Sequence, residues 1–136
     1  MAIRYTIESY NDGLAYGPLE WKEKGLLTGA YSGPYGRGEL PAGLYHVRRD
    51  VLLDKPGNSS FCDSIRNCWF QLIDPQFSTD RTELGIHPDG NVMGTRGCIG
   101  ILDADTSPWY NAFKSVKMGD FAILEVKIAK ARPPSV

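Results

Sequence analysis

Short runs of strand-forming residues, each ended by turn-forming residues, constrain the fold of this chain more than any other feature. Residues 4–10 alternate β-forming side chains up to a hairpin turn signal at 11–13, and residues 68–74 form a short apolar run typical of a buried strand. Residues 109–116 follow a helix-start pattern with a proline where the first turn tolerates one. The sequence therefore predicts a mainly β fold, a β-sandwich or a partly open barrel, with one short helix.

The length of the chain limits the number of domains. At 136 residues the chain has room for one hydrophobic core, and no internal repeat or linker divides it. We expect residues 1–27 to form an N-terminal hairpin region and residues 129–136 to form a flexible tail. The prediction is a single domain over residues 1–136.

The charge and hydropathy of the chain exclude two classes of partner. Lys and Arg number 15 and Asp and Glu number 16, so no excess of positive charge attracts a nucleic acid. No apolar run approaches the ~20 residues that cross a bilayer, and the first residues lack the apolar stretch of a signal peptide. We expect neither nucleic-acid binding nor membrane insertion. Any export then depends on another route or on a signal that has been removed.

Residues 84–101 contain one histidine and one cysteine, His87 and Cys98, eleven positions apart. Turn-forming residues between them allow the backbone to double back and bring the two side chains together. A cysteine attacks as the thiolate, and an imidazole can take its proton. If the backbone N–H groups around Gly97 and Cys98 converge, they can stabilise an oxyanion. The pattern predicts a thiol nucleophile; the alternative interpretation is a buried free cysteine with a histidine merely nearby.

Three blocks of sequence surround these residues in a fixed order. The first is residues 40–47 (Leu-Pro-Ala-Gly-Leu-Tyr-His-Val), the second is Gly-Ile-His at 85–87 followed by Thr-Arg-Gly-Cys-Ile at 95–99, and the third is residues 107–126. They resemble the strand entry, the Gly-Ile-His and Ser/Thr-His-Gly-Cys signature, and the short helix and closing strand of the L,D-transpeptidases (YkuD-like domains). The resemblance covers residues 28–128 and implies that family's fold and cysteine acyl-transfer chemistry.

Two positions depart from the family signature. Arg96 stands in place of the motif histidine, and Gly100 stands where an arginine or asparagine often follows. The spacing from His87 to Cys98 is also shorter than in the usual transpeptidases. The chain resembles most a compact, diverged branch that includes type VI secretion effectors acting on peptidoglycan.

The resemblance implies a role for each residue of the signature. Cys98 attacks the carbonyl after an L-centre of a peptidoglycan stem peptide, a D-amino acid leaves, and water or an amine resolves the acyl-enzyme. His87 is the base and then the acid, and the carbonyl of Pro88 orients its imidazole. Thr95 and Arg96 bind substrate, Arg96 through a bidentate contact with a carboxylate. No metal or other cofactor is implied.

The resemblance also implies a place of action. We expect hydrolysis to dominate over transfer, because the short connection between His87 and Cys98 leaves little chain for an acceptor groove. The protein would act in the bacterial periplasm or cell wall, delivered by a secretion machine or a phage. A cognate immunity protein is an expected partner of such a toxin.

The alternative function is a non-catalytic wall-binding or structural module, as on a phage particle, and Arg96 and Gly100 favour it.

The other cysteines and the second histidine have structural explanations. Cys62 and Cys68 either form a disulfide, which requires an oxidising compartment, or remain two free thiols. Zinc is disfavoured because no second pair of cysteines or histidines stands at ligand spacing. His46 lies in a predicted strand, where a histidine is more often structural than catalytic.

Overall fold

Strands dominate the part of the chain that the structure, a computed structural model, describes: residues 2–90, 93–117 and 120–131. Single 3-10 turns lie at Lys22–Lys24 and Ser59–Phe61. Within the described residues there is one α-helix, α1, at Ser107–Ser115. The strands there are β1 Ala2–Ile7, β2 Ser9–Asn11, β3 Leu14–Trp21, β4 Leu26–Ser32, β5 Gly43–Asp54, β6 Trp69–Pro75, β7 Gly85–Pro88, β8 Ile99–Ile101 and β9 Phe121–Ile128.

Eight of these strands close into a barrel. Their order around the ring is β1-β9-β5-β6-β7-β8-β4-β3, and β3 returns to pair with β1, while β2 extends the edge of β3. The predicted mainly β fold with one short helix is confirmed. The barrel is closed and not partly open, because β1 pairs with β9 on one edge and with β3 on the other.

Most neighbouring strands in the ring are antiparallel, and two pairs are parallel. β1 runs parallel to β9 over its whole length, which joins the two ends of the described chain in one wall. β7 runs parallel to β8, although only residues 89–98 separate them in sequence. Parallel neighbours require a connection that returns to the start of the strand, and the described residues 89–90 and 93–98 form the two ends of this connection.

Alternating side chains of the strands fill the barrel, and α1 packs on them. The inward residues of β1 are fully buried, and the ring of Phe113 on α1 lies 5.2 Å from Trp21 and 5.7 Å from Trp69. Trp69 also donates its indole N–H to the Thr106 hydroxyl, 2.8 Å away, just before the helix. The helix is thereby fixed to β3 and β6. No helix among residues 2–90, 93–117 and 120–131 is long and apolar enough to cross a membrane.

The predicted end regions take the following positions. A tight turn at Asp12 and Gly13, both with positive φ, joins β2 to β3, and β1 lies beside β9 in the barrel wall. At the other end, the N–H groups of Ala129 and Lys130 both donate to the carbonyl of Ile7. The predicted tail at 129–136 otherwise falls largely outside the described residues, which stop at 131.

Closure of the barrel predicts a stability difference between two glycine variants. A Cβ at Gly17 in β3 would overlap the Thr6 carbonyl at the seam with β1, whereas one at Gly29 in β4 would meet the ring of Tyr16, an exposed side chain that can move. We expect Gly17→Ala to lower the free energy of unfolding by about 1–3 kcal/mol and Gly29→Ala to lower it less. Urea unfolding followed by circular dichroism measures both, and equal stability of the two variants would contradict the closed seam.

Candidate active site

The parallel pairing of β7 and β8 places the predicted nucleophile and base on one cavity. His87 pairs with Gly100 in this register, so Cys98, immediately before β8, lies beside the start of β7. On its other edge β7 pairs with β6, and this register fixes the position of β7 along the barrel. As a result His87 and Cys98 line the same cavity.

This cavity has a volume of about 870 Å³, which lies in the usual range for ligand sites and is large enough for a short peptide. Cations stand on its wall at Lys55 and Arg96, and an anion at Glu83. The thiol and the imidazole therefore border a cavity whose wall contains both charged and apolar side chains. Its apolar wall consists of Val51, Leu53, Phe61, Phe70 and Leu72.

The imidazole of His87 is almost completely buried and held on three sides. Its Nδ1 lies 2.7 Å from the carbonyl oxygen of Pro88. The ring of Phe61 meets it edge-on at 4.7 Å, and the ring of Phe70 stacks on it at 5.9 Å. Burial lowers the pKa of His87 to about 4, against the opposing effect of the hydrogen bond to Pro88. The imidazole is therefore neutral at pH 7.

A disulfide supports the aromatic contacts of His87. Cys62 and Cys68 are joined, which decides between the disulfide and the two free thiols that the sequence left open. Phe61 directly precedes this loop and Phe70 follows it, and the two rings pack edge-on at 5.6 Å. The loop also touches the residues after His87, because a Cβ at Gly90 would lie 2.8 Å from the carbonyl oxygen of Cys62.

Asp63 ties the disulfide loop to the start of α1. Its Oδ2 accepts hydrogen bonds from the N–H and the hydroxyl of Thr106, at 2.7 and 2.9 Å, and from the amide of Asn67. Burial acts to raise the pKa of Asp63, but these hydrogen bonds outweigh it, so the pKa lies below its usual value. The loop behind His87 is thus closed by the disulfide and attached to the start of α1 by Asp63.

The thiol of Cys98 is also neutral at rest. Sγ is 3.7 Å from the carbonyl oxygen of Glu83, to which it donates. Burial raises the pKa of Cys98 to about 11; a hydrogen bond from the backbone N–H of Gly85 and the nearby charge of Arg81 act in the opposite direction. Neither the thiol nor the imidazole is ionised in the resting site.

Thr95 holds the loop before Cys98 in shape. Its hydroxyl donates to the carbonyl of Cys98 at 2.7 Å and accepts from the N–H groups of Gly33 and Gly97, both at 3.2 Å. Thr95 is buried although it borders the cavity. The N–H of Gly97, expected to face an oxyanion, is directed at Thr95 in this structure. The contacts of Thr95 are those of a residue that positions the nucleophile.

Arg96 and Asp89 are the charged residues of the connection between β7 and β8. Arg96 is exposed and borders the cavity, as a substrate contact must. Asp89 accepts a hydrogen bond from the N–H of Gly94 at 3.0 Å, and burial raises the pKa of its carboxyl to about 6. A Cβ at Gly100 would lie 2.8 Å from Cβ of Asp89. The Asp89 side chain therefore occupies the space into which an arginine or asparagine at position 100 would extend.

Sequence reasoning missed several residues of the site. Phe61 and Phe70 stand close to the two cysteines in sequence, and that proximity was the available signal. No sequence signal pointed to Arg81. Its guanidinium lies so close to Gly97 that a Cβ there would overlap it. His46, in β5, does not line the cavity that contains His87 and Cys98.

Comparison of the chain with protein-family models, with curated proteins and with solved structures found no match. The resemblance to the L,D-transpeptidases therefore rests on the sequence blocks alone. Among the described residues, no three His, Cys, Asp or Glu side chains are grouped so that they could hold a metal ion.

The burial of His87 predicts how it titrates. The chain has two histidines, so ¹H–¹⁵N NMR of the imidazoles gives two titrations, and His46→Gln assigns them. We expect a midpoint for His87 near pH 4, and a higher midpoint in Phe61→Ala, which exposes the ring to water. Since the unfolded chain binds this proton at a pKa of ~6.5, the contribution of His87 to the free energy of unfolding should fall as the pH drops from about 6.5 to about 4, while the raised pKa of Asp89 acts in the opposite direction below about pH 6. A wild-type midpoint near 6.5 would contradict the buried imidazole.

Proposed function

We propose that this protein is a cysteine-dependent acyl-transfer enzyme that acts on peptidoglycan stem peptides, as an L,D-carboxypeptidase or endopeptidase with L,D-transpeptidase chemistry. The observation that carries the proposal is the common cavity of His87 and Cys98, with Nδ1 of the imidazole on the Pro88 carbonyl. The substrate class rests on the sequence resemblance. The cavity supports it by its size and by the cations on its wall.

The hydrogen bond to Pro88 determines which imidazole nitrogen can act as a base. A carbonyl oxygen only accepts, so Nδ1 of the neutral ring carries the hydrogen and Nε2 keeps its lone pair. Since thiol and imidazole are both neutral at rest, the proton moves as Sγ of Cys98 bonds to the substrate carbonyl carbon. The Pro88 carbonyl then stabilises the imidazolium that forms.

The second half of the reaction returns this proton. The tetrahedral intermediate collapses to a thioester as the imidazolium of His87 protonates the leaving amine, which departs as a D-amino acid or a D-centred peptide. Nε2 then takes a proton from water, whose oxygen attacks the thioester, and the imidazolium returns this proton to the sulfur of Cys98 as it leaves. An amine in place of water gives a cross-link. We propose hydrolysis as the main outcome, because the short chain between the two residues leaves little for an acceptor groove.

The disulfide supports the proposed place of action. A Cys62–Cys68 bond persists in an oxidising compartment, such as the bacterial periplasm. We propose action on the cell wall there, as an antibacterial effector with an immunity protein or as a phage-borne enzyme. A non-catalytic wall-binding module is the second candidate. The observation that favours it is the high pKa of Cys98, about 11, which burial imposes on the thiol.

Product analysis separates these two functions. Purified tetrapeptide and pentapeptide muropeptides are incubated with the wild type, Cys98→Ala, His87→Gln and the control His46→Gln, and products are identified by mass spectrometry. We expect shortened stems from the wild type and His46→Gln, no turnover by Cys98→Ala, and a loss of about 10²–10⁴-fold for His87→Gln. Cross-linked dimers as the main product would overturn hydrolysis. Binding to sacculi without turnover by the wild type would favour the wall-binding module.

The proposed substrate contact of Arg96 predicts a separate effect. Arg96→Lys keeps the charge but loses the bidentate fork, so KM should rise by about tenfold with little change in kcat. Arg37→Lys, another exposed arginine, which is paired with Asp80, is the control and should behave as wild type. Steady-state kinetics on a tetrapeptide muropeptide measure both, and unchanged kinetics in Arg96→Lys would remove Arg96 from the substrate site.

A further inference from the structure

The segment that precedes β7 surrounds the thiol of Cys98. Sγ donates to the carbonyl of Glu83 at 3.7 Å and lies against the backbone N–H of Gly85. Glu83 has a φ of 56°, a left-handed conformation that few residues other than glycine adopt. Such strain persists where the surroundings hold it in place, and it occurs here at the residue whose carbonyl meets the thiol.

Arg81, at the start of this segment, connects two loops beside the thiol. Its Nη2 donates to the carbonyls of Gly38 and Glu39, each at 3.4 Å. Gly97, directly before Cys98, has a φ of 117° and leaves the room that the guanidinium fills. A side chain at position 97 would displace Arg81, so the glycine of the signature and this arginine fit each other.

The contacts of Arg81 orient its charge and do not cancel it. Carbonyl oxygens accept its hydrogen bonds, while the carboxylate of the preceding Asp80 is paired with Arg37 at 2.5 Å. The charge of Arg81 accordingly lowers the pKa of Cys98, and the carboxylate of Glu83 raises it. A cation beside a nucleophilic sulfur favours the thiolate.

We propose that Arg81 is a positioning residue for the nucleophile: it holds the turn at Gly97 against residues 38–39 and supplies the positive charge that stabilises the sulfur of Cys98 as it loses its proton. This proposal rests on the proposed function of Cys98. It gives the site a cation that does not depend on Arg96, the residue that replaces the family's motif histidine. Arg81 acts through Cys98 and need not touch the substrate.

The test measures the thiol directly, without substrate. The rate of alkylation of Cys98 by iodoacetamide is followed by mass spectrometry from about pH 6 to about pH 10, with the disulfide intact. Arg81→Gln keeps donors for the carbonyls and removes the charge, and Arg81→Lys keeps the charge. Glu83→Gln removes the opposing charge, and Arg4→Gln, which replaces an exposed arginine of β1 paired with Glu125, is the control. The charged groups around the thiol in this assay are Arg81, Glu83, Arg96 and Lys55, and the titratable but neutral group is His87.

We expect Arg81→Gln to move the pH profile upward and to slow alkylation at pH 7 by about tenfold, which corresponds to one pKa unit. Arg81→Lys should stay near the wild-type profile, Glu83→Gln should move the profile downward, and Arg4→Gln should leave it unchanged. A wild-type profile in folded Arg81→Gln overturns the proposal. If that variant does not fold, an unmoved profile in Glu83→Gln overturns the electrostatic account, because its backbone contacts and Arg81 are intact.

The result is independent of whether the protein cleaves muropeptides. If the wild type leaves muropeptides intact but the profiles move as expected, the proposed function fails and the influence of Arg81 on the thiol stands. If muropeptides are cleaved and the Arg81→Gln profile does not move, the function stands and Arg81 only joins two loops.

Discussion

The parallel pairing of β7 with β8 is the interaction on which the rest of the structure depends. It places Cys98 beside the start of the strand that ends with His87 and Pro88, and closure of the barrel holds that pair between β6 and β4. A parallel pair needs a connection that returns to the start of the strand, and the described residues 89–90 and 93–97 belong to this connection. The hydrogen bonds of Thr95 and Asp89 fix that connection. Site and fold therefore depend on the same few residues.

Burial would keep the proposed active site unreactive until substrate enters. Both the imidazole and the thiol are kept from water, and a group kept from water resists acquiring charge. Charge would appear only during reaction, when the Pro88 carbonyl, the N–H of Gly85 and the guanidinium of Arg81 are already in place. Preorganised groups of this kind stabilise a transition state without reorganising, which is the main electrostatic contribution in many enzymes. The disulfide and Asp63 keep the aromatic wall behind His87 rigid enough for this.

Local signals predicted what depends on local sequence. The turn at Asp12 and Gly13, the helix after Thr106 and the alternation of apolar residues each follow from neighbouring residues, and all are present in the structure. Closure of the barrel was not predictable in this way. It depends on pairing of β1 with β3 and β9, and the second of these partners lies at the opposite end of the described chain.

The residues of the site also differ in whether neighbouring sequence predicts them. His87 and Cys98 could be singled out because the reactive residue types stand among turn-formers. The hydrogen bond from the Gly97 N–H to the Thr95 hydroxyl could not be predicted from the sequence. The same hydroxyl accepts a hydrogen bond from the N–H of Gly33, which is distant in sequence. Arg81 was invisible because its contacts with residues 38–39 and Gly97 join segments far apart in sequence. No pattern around Arg81 distinguishes it from an exposed arginine.

The central claim is that the sulfur of Cys98 forms a covalent bond with the acyl group of its substrate. Intact-protein mass spectrometry after rapid acid quench of the enzyme with a tetrapeptide muropeptide tests it most directly, because the thioester adds the mass of the substrate minus the leaving amino acid. We predict such an adduct, mapped to Cys98 by peptide sequencing and removed by hydroxylamine. Turnover of the muropeptide with no adduct at Cys98 would contradict it. Undiminished turnover after selective alkylation of that thiol would contradict it as well.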